Sequence, residues 1–141
     1  MLKIFFVDNQ NELYAGQIAL LTALGNTVQV MESDALFRHS LNKAVSIDLL
    51  ITDFMGGRGT TMSRLVYLKK HCEVFGVPIP PVIVFSSASE AAIRYECKQL
   101  RVEKLLTAVA CKGAAVREIV DGTMFIHYLE LTAKVRELMA K

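Results

Sequence analysis

No block of like charges and no apolar stretch near the roughly 18 residues of a membrane span occurs in this 141-residue chain. With a net charge of only +2, the first absence removes the electrostatic footprint of a nucleic-acid binder, and no dedicated DNA-binding segment is visible. The opening MLKIFFVDNQ enters a strand pattern with acid soon after, so it does not read as a signal peptide. Cysteine is scarce and odd in number: Cys72, Cys97 and Cys111 follow no ligand spacing. His71 beside Cys72 lacks the further ligands of a metal set, and adjacent residues rarely face one site. Buried reduced thiols in a soluble, cytoplasmic protein are therefore expected. All three prolines fall in EVFGVPIPP, which excludes regular structure there and predicts a long loop. Internal repeats and low-complexity linkers are also missing.

What the chain does have is a folded-protein composition, 52% hydrophobic and 21% charged, in a length suited to one full core. Short apolar runs predict strands at 3–7, 27–31, 48–52, 81–86 and 104–108. Segments of helical spacing separate them. In 11–24, Leu13, Leu20 and Leu24 share one face, widened by Tyr14, Ile18 and Leu21, with Gly25 as the closing C-cap. Ser33-Asp34 opens a second helix with Leu36, Phe37, Leu41 and Ala44 inward. Met62 to Cys72 gives a third. Ser87-x-x-Glu90 has capping-box spacing before a fourth, at about 89–99. Strands alternating with helices imply a parallel sheet covered on both faces.

Three polar residues stand at the ends of apolar runs: Asp8 after IFFV, Asp53 after DLLIT and Ser86 closing PVIVF. Ligands of an open α/β sheet gather outside the carboxyl ends of its strands, so these residues are expected to converge. In that order, the constellation resembles the receiver domain of two-component response regulators, over residues 2 to about 121. The resemblance implies a flavodoxin-like, doubly wound sheet of order 2-1-3-4-5. It further implies that Asp53 is the phosphoacceptor and that Ser86 contacts the phosphoryl group. Magnesium would be held by Asp8, Asn9, Asp53 and the backbone carbonyl of Met55. A histidine kinase or phosphotransfer protein would be the phosphoryl source.

The match is degenerate in three places. Receivers carry two adjacent acids after the first strand, where this chain has Asp8-Asn9; the lost charge predicts weak magnesium binding. The lysine that ends the fifth strand in receivers is replaced here by Ala108; Lys104, Lys112 or Arg58 could reach in, though none has the matching position. The aromatic switch residue of that strand is absent, Leu105 being nearest its place.

Plainer roles exist for the same residues. Asp8, Asn9 and Ser33 precede helices, where such side chains cap free N–H groups, and Ser86 and Ser87 could simply start the fourth helix. GGRGTT could cradle an anion but lacks the P-loop spacing and lysine. The resemblance favours a stand-alone signalling receiver rather than an enzyme. A phosphorylation-independent pseudo-receiver is the first alternative, and a small α/β nucleotide binder or enzyme the second. Against the last stand the missing G-x-G-x-x-G turn and three histidines, His39, His71 and His127, that all fall in predicted helices.

The tail is predicted to be helical at 114–121 and again at 123–140, with Asp121-Gly122 as a kink or stop. Residues 1–121 then form the receiver-like domain and 122–141 a C-terminal helical extension. Met124, Tyr128, Leu131, Val135 and Leu138 alternate spacings of four and three, as a helix-pairing seam does, with Phe125, Ile126 and Leu129 alongside. That seam packs on its own domain or on a second copy. Gly122 as an exit point, and the need of a module without an output domain for a contact surface, favour the homodimer.

Overall fold

The computed structural model describes residues 1–54, 60–99 and 101–141. Five parallel strands, β1 (Lys3–Val7), β2 (Thr27–Met31), β3 (Leu49–Thr52), β4 (Val82–Ser86) and β5 (Ala108–Cys111), form one sheet in the order β2-β1-β3-β4-β5. Helices α1 (Ala15–Ala23), α2 (Asp34–Ala44), α3 (Thr60–Phe75) and α4 (Glu90–Gln99) connect the strands. The expected flavodoxin-like, receiver-like architecture is therefore present.

Alternation along the strands divides the core. Phe5, Val7, Leu50, Val82 and Val84 pack with Phe37, Leu41, Leu65, Leu68 and Ile93 of α2, α3 and α4 on one face. Ile4, Phe6, Leu49, Ile51, Ile83 and Phe85 face the other way, against Tyr14 and Leu21. A side-chain period of two, with both faces covered, explains why these runs are apolar throughout. The caps are local chemistry. The Leu36 amide donates to Ser33 Oγ at 3.2 Å, and Gly25 takes a φ of 102° just beyond α1, as expected. In α4 the cap is Ser89, whose Oγ accepts from the Ala92 amide at 3.2 Å, rather than Ser87. His71 and Cys72 are not a metal pair: the His71 ring meets the Val45 carbonyl at 2.7 Å and Asn42 Oδ1 at 3.2 Å. Cys72 and Cys97 are buried as expected, and burial pushes both thiols up. Cys111 is exposed.

The fifth strand starts four residues later than the sequence pattern suggests. Glu103–Leu105 forms a 3-10 turn, and Val102 and Leu106 owe their apolar character to burial against the core from that turn. Residue 108 is therefore the first position of β5, paired with Ile83, and the strand ends at Cys111 opposite Ser86.

The tail differs more. In place of helices at 114–121 and 123–128 stands an antiparallel hairpin, β6 (Ala115–Val120) and β7 (Thr123–Tyr128). Asp121 and Gly122 both have positive φ, 50° and 81°, as a two-residue hairpin turn of type I′ requires. The division drawn between residues 121 and 122 thus runs through the tip of this hairpin.

Helix α5 (Leu129–Met139) follows, and the helical seam does not form: Met124 and Tyr128 are strand residues, and Leu131 and Val135 are fully buried in the core face of α1. This helix is covered by its own domain. The hairpin is fastened there by side chains. Gln17 Oε1 accepts from the Tyr128 amide at 2.7 Å, and Gln17 Nε2 donates to Thr132 Oγ1 at 2.9 Å. Thr132 Oγ1 also meets Nδ1 of His127, a strand residue, at 2.6 Å. No helix among the described residues is long and apolar enough to cross a membrane.

Candidate functional site

Parallel pairing brings four chain segments to one edge of the sheet. The Asp8 amide donates to Met31 O, the Asp53 amide to Val7 O, and the Lys112 amide to Ser86 O, so each of these residues directly follows or ends its strand. Asp8, Asp53 and Ser86 are buried there, as the strand-end reading requires, whereas Asn9 is exposed. Met55, Arg58 and the glycines of GGRGTT lie outside the described residues.

Lys112 corrects the alignment of the fifth strand. Ala108 sits at the strand's amino end, far from the site, while Lys112 follows its carboxyl end and places Nζ 3.3 Å from Asp8 Oδ2. A lysine thus does follow the fifth strand, four residues beyond the position that the sequence alignment gave, because the 3-10 turn delays the strand. The same shift puts Val109, a buried aliphatic residue, at the place that the sequence alignment gave to Leu105. The Lys112 ammonium also lies 4.6 Å from the Tyr14 ring centre and 4.9 Å from that of Phe85, a cation–π arrangement. Burial opposes its charge, but Tyr14 and Asp8 together outweigh burial and raise its pKa above the ordinary lysine value.

The sequence reading missed Arg64. Its side chain is only 4% exposed, and it joins two carboxylates: Nη1 to Asp53 Oδ1 at 2.9 Å and Nε to Asp34 Oδ1 at 2.8 Å. Nη1 also donates to the Thr52 hydroxyl. Arg64 lies on the buried side of α3, beside Leu65 and Leu68, and an arginine among apolar helix positions was the available signal. The Asp53 carbonyl accepts from the hydroxyls of Thr52 and Thr61, each at 3.0 Å, which fixes the backbone at this strand end. Burial is the largest influence on the Asp53 carboxyl and raises its pKa. Arg64 opposes it through hydrogen bond and charge, Asp8 adds to it, and Lys112 subtracts. Ser86 Oγ accepts from the Ala88 amide at 3.0 Å, so it also fulfils the plainer role of starting the next turn.

The donor set does not fit magnesium. Among the described residues no three His, Cys, Asp or Glu side chains cluster to hold a metal. Asp8 spends Oδ1 on the Gln10 amide at 2.8 Å and Oδ2 on Lys112, and Asp53 spends Oδ1 on Arg64. Two carboxylates already face two cations. A divalent ion needs several hard oxygen ligands, and three of the four oxygens of these two carboxylates are already engaged.

No protein-family model matches the sequence, and no curated protein matches it significantly. Solved structures do. A two-component response regulator from Legionella pneumophila is similar with a TM-score of 0.68 at 11% identity, over 100% of both chains. A response regulator from Desulfuromonas acetoxidans gives 0.67 at 19% identity, covering 99% of this chain and 98% of its own. A response regulator from Thermotoga maritima, solved in complex with Mg2+-BeF, gives 0.63 at 16% identity, covering 98% of this chain and 99% of its own. The fold of this chain is that of a response-regulator receiver domain.

Proposed function

We propose that this chain is an atypical receiver in two-component signalling, not an enzyme for a small-molecule substrate. Asp53 accepts a phosphoryl group from a histidine kinase or phosphotransfer protein in the cytoplasm, and Ser86 and Lys112 contact the phosphoryl oxygens. The output is contact with a downstream protein. The observation that carries this reading is the placement of Asp53 at the carboxyl end of the central strand, with Asp8 at the end of adjacent β1 and Lys112, just after β5, reaching Asp8. A carboxylate can form an acyl phosphate when nearby cations offset the developing charge, and Lys112 is such a cation. Magnesium is expected to bind only weakly here, since Asn9 supplies no charge and both carboxylates are paired.

Intact-mass measurement after treatment with acetyl phosphate tests the reading. The expected result is a gain of one phosphoryl group that disappears in Asp53→Ala. A chain that never gains this mass is a pseudo-receiver. One observation favours that second reading: buried Val109 stands where an aromatic switch would be.

A further inference from the structure

We propose that Arg64 stands in for a divalent metal, so that Asp53 takes up a phosphoryl group without one; this rests on Asp53 being the acceptor. The guanidinium is buried, and burying a charge costs several kcal/mol unless it is well paired. Here Asp34 anchors Nε on the α2 side, while Nη1 reaches the Asp53 carboxylate from the α3 side. Among the described residues no partner engages Nη2, so the planar fork keeps donors for a phosphoryl oxygen. Guanidinium suits that task because it stays charged when buried and can donate to a phosphoryl oxygen through Nη2 while Nε and Nη1 hold Asp34, Thr52 and Asp53.

The charges agree with this role. Asp8 and Asp53 contribute two negative charges at the strand ends and Asp34 a third behind Arg64, against the two positive charges of Lys112 and Arg64. A fourth carboxylate, at position 9, would need positive charge beyond these two cations. Asn9 removes that need. The exposed Asn9 and the buried Arg64 are thus two halves of one change, from an ion drawn from solvent to a cation built into α3.

The transfer balances without a metal or a proton. One Asp53 carboxylate oxygen attacks phosphorus, forming the O–P bond of an acyl phosphate. The bond from phosphorus to the bridging oxygen of acetyl phosphate breaks, and acetate leaves with that electron pair. The three non-bridging oxygens keep their negative charge throughout, facing Arg64 on one side and Lys112 on the other.

Intact-mass kinetics with acetyl phosphate, in EDTA and in excess magnesium, test the proposal on wild type, Arg64→Gln and Arg64→Lys. Wild type should be modified at similar rates in both conditions. Arg64→Gln should lose at least tenfold in EDTA and recover in part when magnesium fills the vacated charge, whereas Arg64→Lys should keep most of the rate in EDTA. Magnesium titration followed by NMR gives a second readout: Arg64→Gln should bind the ion more tightly than wild type. Modification of wild type only with magnesium would overturn the role of Arg64 while leaving Asp53 as acceptor. Equal rates for Arg64→Gln and wild type in EDTA would overturn it too. No modification of any folded variant under either condition would remove the acceptor role, and this inference with it.

Discussion

Gly16 of α1 lies against the backbone carbonyl of Ile126 in β7 so closely that no Cβ fits between them. The neighbour is backbone, which cannot rotate aside as a side chain would. Gly16→Ala should therefore push the hairpin off α1 and lower stability by about 1–3 kcal/mol, the usual cost of overpacking. Urea denaturation measures this directly. An unchanged midpoint would mean that the two segments do not meet this closely.

Thr132 should be the most sensitive hydroxyl of the tail, because its Oγ1 serves both Gln17 Nε2 and His127 Nδ1 in the buried core. Thr132→Val keeps the shape and leaves both partners wanting, at a cost of about 1–3 kcal/mol. Thr132→Ser should recover much of the loss in the same denaturation experiment. Equal stability of the valine variant and wild type would dismiss this network.

The two positions considered for the site lysine can be separated by carboxyl NMR. Lys112 lowers the Asp53 pKa, so Lys112→Ala should raise it further. Ala108→Lys adds an ammonium at the far end of β5 and should leave Asp53 where it was. The reverse pattern would return the functional position to residue 108.

Acidity should reveal the strain of keeping Asp53 charged. Burial, the largest influence, raises its pKa above the ordinary 3.8 despite Arg64. Between the unfolded and folded values the native state holds more protons than the unfolded one. The contribution of Asp53 to stability therefore falls as pH rises through that window, and below both values it vanishes. Asp53→Asn removes the titration while keeping an oxygen for Arg64. Its stability advantage over wild type should be largest at neutral pH and shrink as pH falls towards 3.8. A constant difference across the range, from denaturant midpoints at several pH values, would contradict this.

The strands and their ends were legible because β1, β3 and β4 are buried on both faces, so IFFV, LLIT and VIVFS could only be interior strands. Asp8, Asp53 and Ser86 followed from those ends. Lys112 was misplaced because Val102 and Leu106, apolar for their burial in a turn, imitate the approach to a strand. The hairpin was misread because Met124, Tyr128 and Leu131 satisfy helical spacing by chance. The stronger signal was Asp121-Gly122 between two runs of alternating residues. Arg64 could not be assigned to the site, since its partner Asp53 lies eleven positions earlier in the chain, and only the placement of helix α3 brings them together.

The same hairpin sets an order of assembly. Val120 meets Thr123 across a two-residue turn, whereas Ile4 must find Leu49 from far along the chain before β1 and β3 can pair. Loop-closure entropy favours the short connection, and hairpins form in microseconds while parallel pairing is slow. During refolding, β6 and β7 should thus zip together ahead of the sheet, with α5 docking once Ile4 and Ile51 have built the surface that receives Leu131. Pulsed hydrogen exchange should find the Glu118 and Phe125 amides protected before those of Phe5 and Leu50. The reverse sequence would make the tail a late addition to a finished sheet.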